Sequence, residues 1–271
     1  MLTHDLLARV RDLPKWHRIT VSGKGSQTVV LANGFGTDQT FWRGLLPWLE
    51  ERFRVVRFDW LIDPDHFDSS RYKSLEGFAE DLLAIQMATD AAPCLYVGQS
   101  MGAMVGMLAA RRRPDFFRSM VMLAPSPCFI NHPGYRGGFD QEGIDALLGQ
   151  IGHDYMEWVK SFSPLVVAAP PSHQDAQEFA RCLMALRPDV ALSMALTVFK
   201  MDLRNSLDGF QTPVTIVQTK HDIAVPMDVA QYLHDRWPQS RLEVIEAEGH
   251  VPQLTAPQEV TRVMETAFAG Y

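Results

Sequence analysis

The sequence predicts a doubly wound α/β fold, in which helices cover both faces of a mostly parallel sheet. Short runs rich in Val, Ile and Leu recur along the chain, and such runs are typical of strands buried on both faces. Stretches whose apolar residues follow helical spacing separate these runs, and this alternation favours a parallel sheet. The chain has 271 residues, 46% of them hydrophobic, which is enough for one large core.

Seven strands are predicted, at residues 17–21, 28–32, 54–59, 94–97, 120–124, 214–218 and 242–245. A helix is predicted after the third strand, because Leu75, Phe78, Ala79, Leu82 and Leu83 lie on one helical face. Another helix, through residues 103–110, follows the fourth strand. It is expected to end at the arginines 111–113, because cations near a helix C-terminus complement the helix dipole and a proline follows.

The alternation of strands and helices stops between residues 126 and 200, where no strand is predicted. Helical spacing is clear there in Ile144, Leu147, Leu148 and Ile151, and again in Phe179, Cys182, Leu183 and Leu186. Ser172, with Asp175 three residues later, predicts one helix start, and Pro188 predicts another.

The segment 126–200 is therefore predicted to be an all-helical insertion in a single domain, whose core comprises residues 1–125 and 201–271. Ligands bind at the carboxyl edge of the strands in open α/β sheets. An insertion at this point of the chain is expected to form a lid over that edge.

Composition excludes several classes of function. The formal net charge of −7 argues against binding to nucleic acid or to an anionic membrane, because both require clustered Lys and Arg. Cys94, Cys128 and Cys182 are widely spaced and odd in number, so reduced thiols are expected, with neither a metal site nor a disulfide framework. Residues 1–16 lack the apolar run of a signal peptide, and no stretch resembles a membrane span. A cytoplasmic monomer is expected.

A motif with chemical meaning follows the fourth predicted strand. Residues 98–102 read Gly-Gln-Ser-Met-Gly, which is the pattern G-x-S-x-G between a strand and a helix. The turn is tight, so a side chain at Gly98 or Gly102 would collide with neighbouring backbone. Ser100 would stand exposed above the sheet, where a helix N-terminus favours a developing negative charge. Ser100 is therefore the predicted nucleophile, and a turn with an inert serine is the alternative.

A serine nucleophile requires a base, and the base requires a carboxylate that orients it. His250 follows the last predicted strand, where a loop can carry it over the sheet edge. Asp222 follows the strand at 214–218, which gives the chain order serine, acid, histidine. Asp202 and Asp208 are alternative acids, although both precede that strand.

An oxyanion hole needs two backbone N–H groups. One is expected from Met101, directly after the nucleophile. The other is expected from Phe35, in the sequence Asn-Gly-Phe-Gly-Thr at 33–37 that follows an early strand. The alternatives are an ordinary turn or a phosphate-binding loop, but the segment lacks the spacing and the lysine of a P-loop.

Several stretches resemble one branch of the α/β-hydrolase superfamily, with a likeness that runs over residues 19–268. The matching stretches are residues 33–39, 71–81, 97–101, 113–115, 126–128, 137–139, 187–189 and 249–254. This branch contains the bacterial stress-regulator hydrolase RsbQ and the plant karrikin and strigolactone receptors. The resemblance implies an α/β-hydrolase fold with a V-shaped lid of four helices. It also implies a pocket lined by Phe35, Phe129, Phe139, Phe162, Phe179 and Phe199, for which core packing is the alternative.

Three positions depart from the pattern of this branch. Asn33 stands where the family usually has His or Pro, and Gln99 stands where it usually has His. Both are expected to tune the polarity of the pocket. The loop 60–65 is shorter than in the family and lacks glycine, so the local loop shape and the pocket rim are expected to differ from those of the family.

Two functions are expected from these features. The first is a serine hydrolase that cleaves a small apolar ester or lactone through an acyl-enzyme, with no metal or organic cofactor. The second follows from the resemblance to RsbQ: a slow ligand sensor that contacts a bacterial signalling protein such as a PAS-domain phosphatase. Related triads also serve haloperoxidases and hydroxynitrile lyases, and nothing in the sequence selects those reactions. Dehalogenases of this fold need an aspartate where Ser100 stands.

Overall fold

The computed structural model describes residues 16–60 and 64–271. The expectation for residues 1–16 therefore falls outside the described residues except at Trp16. Residues 61–63 of the loop 60–65, which departs from the family pattern, also lie outside them. The strands are β1 (Thr20–Ser22), β2 (Thr28–Ala32), β3 (Arg54–Arg57), β4 (Cys94–Gln99), β5 (Phe117–Leu123), β6 (Val214–His221) and β7 (Ser240–Glu248). They form one sheet in the order β1-β3-β2-β4-β5-β6-β7. Only β1, beside β3, is antiparallel to its neighbour within this described sheet, so the mostly parallel sheet predicted from the sequence is confirmed.

The α-helices are α1 (Leu46–Arg52), α2 (Leu75–Ala88), α3 (Met101–Arg112), α4 (Gln141–His153), α5 (Tyr155–Val167), α6 (Gln174–Met184), α7 (Pro188–Phe199), α8 (Met227–His234), α9 (Pro252–Thr255) and α10 (Pro257–Ala267). Short 3₁₀ helices occur at Gln39–Trp42, Pro64–His66, Pro114–Phe116 and Arg204–Ser206. The helix α3 ends at the arginines 111–113, as the sequence predicted.

Helices cover both faces of the sheet, because the side chains of each central strand alternate between two apolar cores. In β2, Val30 and Ala32 belong to a core that includes residues of α2 and α3. Val29 and Leu31 belong to a second core, which includes residues of α1 and α10. Strands that are buried on both faces read as continuous apolar runs, which explains why the sequence revealed them.

The ends of some strands differ from the prediction, because the backbone pairing does not begin and end where the apolar pattern does. The first strand begins at Thr20, because the φ of 39° at Arg18 interrupts the extended backbone before it. The last strand was predicted at 242–245, but it extends from Ser240 to Glu248. Its polar residues continue the pairing with β6, and an edge strand needs no apolar side chains for that pairing.

Between β5 and β6 the chain forms the four helices α4 to α7, in which α4 packs against α7 and α5 packs against α6. The expected helix start at Ser172 is wrong: the imidazole of His173 caps α6 by accepting a hydrogen bond from the Asp175 N–H at 3.3 Å. Within residues 16–60 and 64–271, no single helix is long and apolar enough to cross a membrane. The helices α6 and α7 pass that test of length and composition only as a pair, which is bent by 106°.

Candidate active site

Ser100 stands at the junction of β4 and α3, on a strained turn. Its φ of 52° with ψ of −114° is a combination that residues other than glycine rarely adopt. The Ser100 N–H donates a hydrogen bond to the Leu123 carbonyl in β5 at 2.8 Å, which fixes the turn to the sheet. A Cβ at Gly98 would lie 2.7 Å from the Ala103 nitrogen, and one at Gly102 would lie 2.4 Å from the Ala32 carbonyl oxygen. Both glycines are therefore required by close approach of backbone.

The structure brings Ser100, His250 and Asp222 together, although they are far apart in the sequence. Nε2 of His250 lies 2.8 Å from the Ser100 Oγ, and Nδ1 of the same ring lies 2.7 Å from the Asp222 Oδ2. His250 sits on the loop after β7, and Asp222 directly follows β6. With the Nδ1 proton held by the carboxylate, Nε2 is free to accept the proton of the serine hydroxyl.

Asp222 is held in place by four hydrogen bonds, and its side chain is 0% exposed. Its Oδ1 accepts from the Ala224 N–H at 2.8 Å and from the Val225 N–H at 3.1 Å. Its Oδ2 accepts from the Gln218 side-chain amide at 3.3 Å as well as from His250. These four hydrogen bonds hold the buried carboxylate in one orientation.

The alternative acids lie elsewhere. Asp202 is paired with Arg204 through both carboxylate oxygens, at 2.9 and 2.6 Å, and this pairing lowers the pKa of Asp202. Asp208 is exposed on the segment before β6. Since Asp222 occupies Nδ1 of His250, the geometry favours it over both alternatives.

Two backbone N–H groups expected in the oxyanion hole donate no hydrogen bond within the described part of the chain. Among the hydrogen bonds of residues 16–60 and 64–271, none is donated by the N–H of Phe35 or by the N–H of Met101. Met101 is the first residue of α3, where backbone donors have no partner within the helix. Phe35 borders the same cavity as Ser100. Their free donors are compatible with the expected oxyanion hole.

A small apolar cavity of about 30 Å³ opens onto Ser100 and His250. Of the six phenylalanines expected in the pocket, five line it: Phe35, Phe129, Phe162, Phe179 and Phe199. This volume is well below the usual range for ligand-binding cavities. The space against the hydroxyl is therefore narrow and apolar.

Phe139 is the exception, and the structure places it outside the cavity lining. Its backbone pairs with the segment that carries Phe129: the Phe139 N–H donates to the Phe129 carbonyl at 3.1 Å, and its carbonyl accepts from the Asn131 N–H at 2.7 Å. Sequence reasoning missed the small and aliphatic residues that complete the lining, which are Val166, Val198, Ala224 and Val251, and also Gln99. Helical spacing marks such residues as buried but does not say which cavity they face.

Asn33, one of the departures from the family pattern, is buried and hydrogen bonded. It links three neighbours: its amide donates to the Phe58 carbonyl at 2.9 Å, its side-chain oxygen accepts from the Trp42 indole, and its carbonyl accepts from the Trp60 indole at 2.7 Å. Asn33 thus anchors the base of the loop that carries Phe35. Its role is to hold this loop, and it is not among the residues that line the cavity.

One group of side chains in the described ranges has the composition of a metal site. Cys128, His132 and Asp202 each place a ligand atom within 4.8 Å of the others. Burial raises the pKa of the Cys128 thiol, and Arg204 already occupies the Asp202 carboxylate. The first feature opposes the thiolate form that a metal ion would need, and the second leaves the carboxylate already paired with a cation.

Comparison with known proteins gives a consistent family. A family model for the alpha/beta hydrolase fold matches residues 27–257. Karrikin insensitive 2 receptor IA of Petunia hybrida is 44% identical over 254 residues, which cover 92% of this chain and 93% of that protein. A strigolactone esterase of Arabidopsis thaliana is 37% identical, covering 92% of this chain and 95% of that protein.

A solved structure leads to the same result. A hydrolase from Oleispira antarctica matches with a TM-score of 0.91 and 33% identity, covering 97% of this chain and 98% of that one. The resemblance inferred from the motifs is confirmed for the plant receptors. The chain belongs to the α/β-hydrolase fold family.

Proposed function

We propose that the protein is a serine hydrolase that cleaves small apolar esters or lactones through an acyl-enzyme. The observation that carries this proposal is the continuous chain of contacts from Ser100 through His250 to Asp222, at 2.8 and 2.7 Å. Ser100 attacks the carbonyl carbon while His250 accepts its proton. Asp222 stabilises the imidazolium that forms, and the N–H groups of Phe35 and Met101 stabilise the oxyanion.

The second half of the reaction uses the same groups. The imidazolium gives its proton to the leaving alkoxide, which departs as an alcohol and leaves an ester on Ser100. Water then attacks this ester, with His250 again as the base, and the carboxylic acid is released. For a lactone the alcohol and the acid remain one molecule. These steps call for no metal or organic cofactor.

The choice of substrate class rests on the cavity. Its wall is formed by phenylalanine and aliphatic side chains and it is narrow, so a small uncharged acyl group is the substrate part that suits it best. We propose that the segment 126–200 acts as a lid, because α5, α6 and α7 supply much of this wall, through Phe162, Val166, Phe179, Val198 and Phe199.

A second role, as a ligand sensor, is favoured by one contact. The His250 N–H donates to the Val166 carbonyl at the end of α5, at 2.7 Å. A change at the histidine would therefore act directly on the proposed lid, and a slow hydrolase could report its ligand to a protein partner through that surface. The relatives named as karrikin receptors add support. A bacterial signalling protein of the PAS-domain phosphatase type is the partner that the RsbQ likeness suggests.

The test of the hydrolase is labelling with a fluorophosphonate probe, followed by intact-mass measurement of the parent and of Ser100→Ala. One adduct is expected on the parent and none on the variant. Labelling of both proteins would show that another residue is the nucleophile. Turnover of a γ-lactone and of an acyclic acetate by the parent then distinguishes fast metabolic hydrolysis from the slow turnover of a sensor.

A further inference from the structure

Gln99 is a buried amide between the three loops of the active site. It is the last residue of β4, it is 1% exposed, and it lies directly before Ser100. Its Nε2 donates to the His250 carbonyl at 2.8 Å. A hydrogen bond of this kind connects the strand that carries the nucleophile to the loop that carries the imidazole.

The other end of the same amide lies against the loop of Phe35. A Cβ built on Gly34 would lie 2.0 Å from the Gln99 Oε1, so the glycine makes room for the amide. This oxygen is buried, and no described residue donates a hydrogen bond to it. A buried acceptor without a partner costs stability, so the fold tolerates Gln99 here despite a local penalty.

The backbone of His250 depends on this contact for half of its hydrogen bonding. Its N–H is held by the Val166 carbonyl at 2.7 Å, and its carbonyl is held by Gln99. Removing the amide would leave the carbonyl buried and unpaired, and the loop would move to satisfy it. The imidazole would then shift relative to Ser100.

We propose that Gln99 is a positioning residue, whose amide sets the distance between the His250 loop, the nucleophile and the Phe35 loop. The inference rests on the proposed hydrolase and deepens it. Gln99 lines the cavity, but it does not exchange protons with substrate, because a carboxamide neither gains nor loses a proton near neutral pH. It acts on the reaction only through the placement of His250 and of the oxyanion donor.

The test is the variant Gln99→Met, which keeps the length and volume of the side chain but removes the amide. We expect kcat for p-nitrophenyl acetate to fall on the order of 10²-fold, the usual effect of a misplacement near 1 Å, with KM changed by less than about threefold because the cavity wall is retained. Gln99→Leu provides a second apolar replacement if Gln99→Met does not fold. Sites are counted by fluorophosphonate titration, so kcat refers to folded enzyme only.

A matched control is available in Gln86→Met. Gln86, in α2, is 0% exposed and donates through Nε2 to the Cys94 sulfur at 3.1 Å, at the opposite end of β4 from the nucleophile. As with Gln99, no described residue donates a hydrogen bond to its Oε1. The variant Gln86→Met should lower the melting temperature by about as much as Gln99→Met and leave kcat within about twofold of the parent value. Equal losses of kcat in both variants, or no loss in Gln99→Met, would overturn the positioning role. Inactivity of the parent would instead refute the proposed hydrolase.

Gly34→Ala tests the same coupling from the other side. The new methyl group must push the Gln99 amide away, so this variant should lose kcat to a similar extent. Combining Gly34→Ala with Gln99→Ala should cost little more than either change alone, because both act on one contact. Losses that multiply would show that the two residues act independently.

Discussion

The geometry around Asp222 makes a sharp prediction for Asp222→Asn. The two backbone donors at Ala224 and Val225 cannot turn away, so the single oxygen of an asparagine must take the position of Oδ1, at 2.8 and 3.1 Å from them. The NH₂ group then takes the position of Oδ2, 2.7 Å from Nδ1 of His250. There it can only donate, so the ring must carry its proton on Nε2, which faces Ser100.

A ring in that tautomer cannot accept the serine proton. We expect kcat to fall about 10⁴-fold, which corresponds to about 5.4 kcal/mol of transition-state stabilisation. The new NH₂ group would also lie 3.3 Å from the Gln218 side-chain amide, so that two donors face each other. This should destabilise the fold by about 1–3 kcal/mol. The protein should still fold, since no volume is lost.

The assay is the hydrolysis of p-nitrophenyl acetate, with thermal unfolding measured in parallel. Asp202→Asn and Asp208→Asn are the matched controls, and both should retain near-normal kcat. If Asp222→Asn kept more than a tenth of the activity, or if Asp202→Asn lost as much, the assignment of the acid would be wrong.

Three further predictions concern the turn, the cavity and the cysteines. Gly102→Ala places a Cβ 2.4 Å from the Ala32 carbonyl oxygen. It should destabilise the fold by about 1–3 kcal/mol and abolish labelling by the fluorophosphonate probe. An unchanged melting temperature would contradict the packing of the turn. Phe162→Ala enlarges the cavity, so the ratio of kcat/KM for butyrate over acetate esters should rise by up to about fourfold per added CH₂. An unchanged ratio would show that Phe162 does not contact the acyl group. Burial raises the pKa of the Cys94 thiol to about 12, so only about 10⁻⁴ of it is thiolate at pH 8. In the native protein, Cys94 should therefore not react with a disulfide reagent. Modification at the rate of an exposed thiol would contradict its burial.

Much of the fold could be predicted because its central strands are buried on both faces. The run Thr28–Ala32 was predicted with its observed bounds, since every residue in it is buried. The edge strands were less predictable, because backbone pairing at Ser240 and Glu248 leaves no apolar pattern. Likewise, the imidazole that caps α6 at His173 competes with the serine before it, and sequence spacing could not rank the two.

The candidate site could be predicted where local chemistry demands particular residues. The tight turn requires Gly98 and Gly102, and the chain order of the fold points to Asp222 and His250. Which phenylalanine faces the cavity could not be predicted, since Phe139 and Phe129 are joined by backbone hydrogen bonds yet only Phe129 lines it. The hydrogen bond from Gln99 to the His250 carbonyl joins residues 151 positions apart, and no local pattern reveals it.

The most direct measurement is the capture of the acyl-enzyme. The parent is mixed with p-nitrophenyl acetate, quenched with acid within the first turnover, and digested for mass spectrometry. A single acetyl group on the peptide that contains Ser100, absent from Ser100→Ala, is the predicted result. Product formation without any acetylated peptide, or an acetyl group on a different residue of the parent, would contradict covalent catalysis by Ser100.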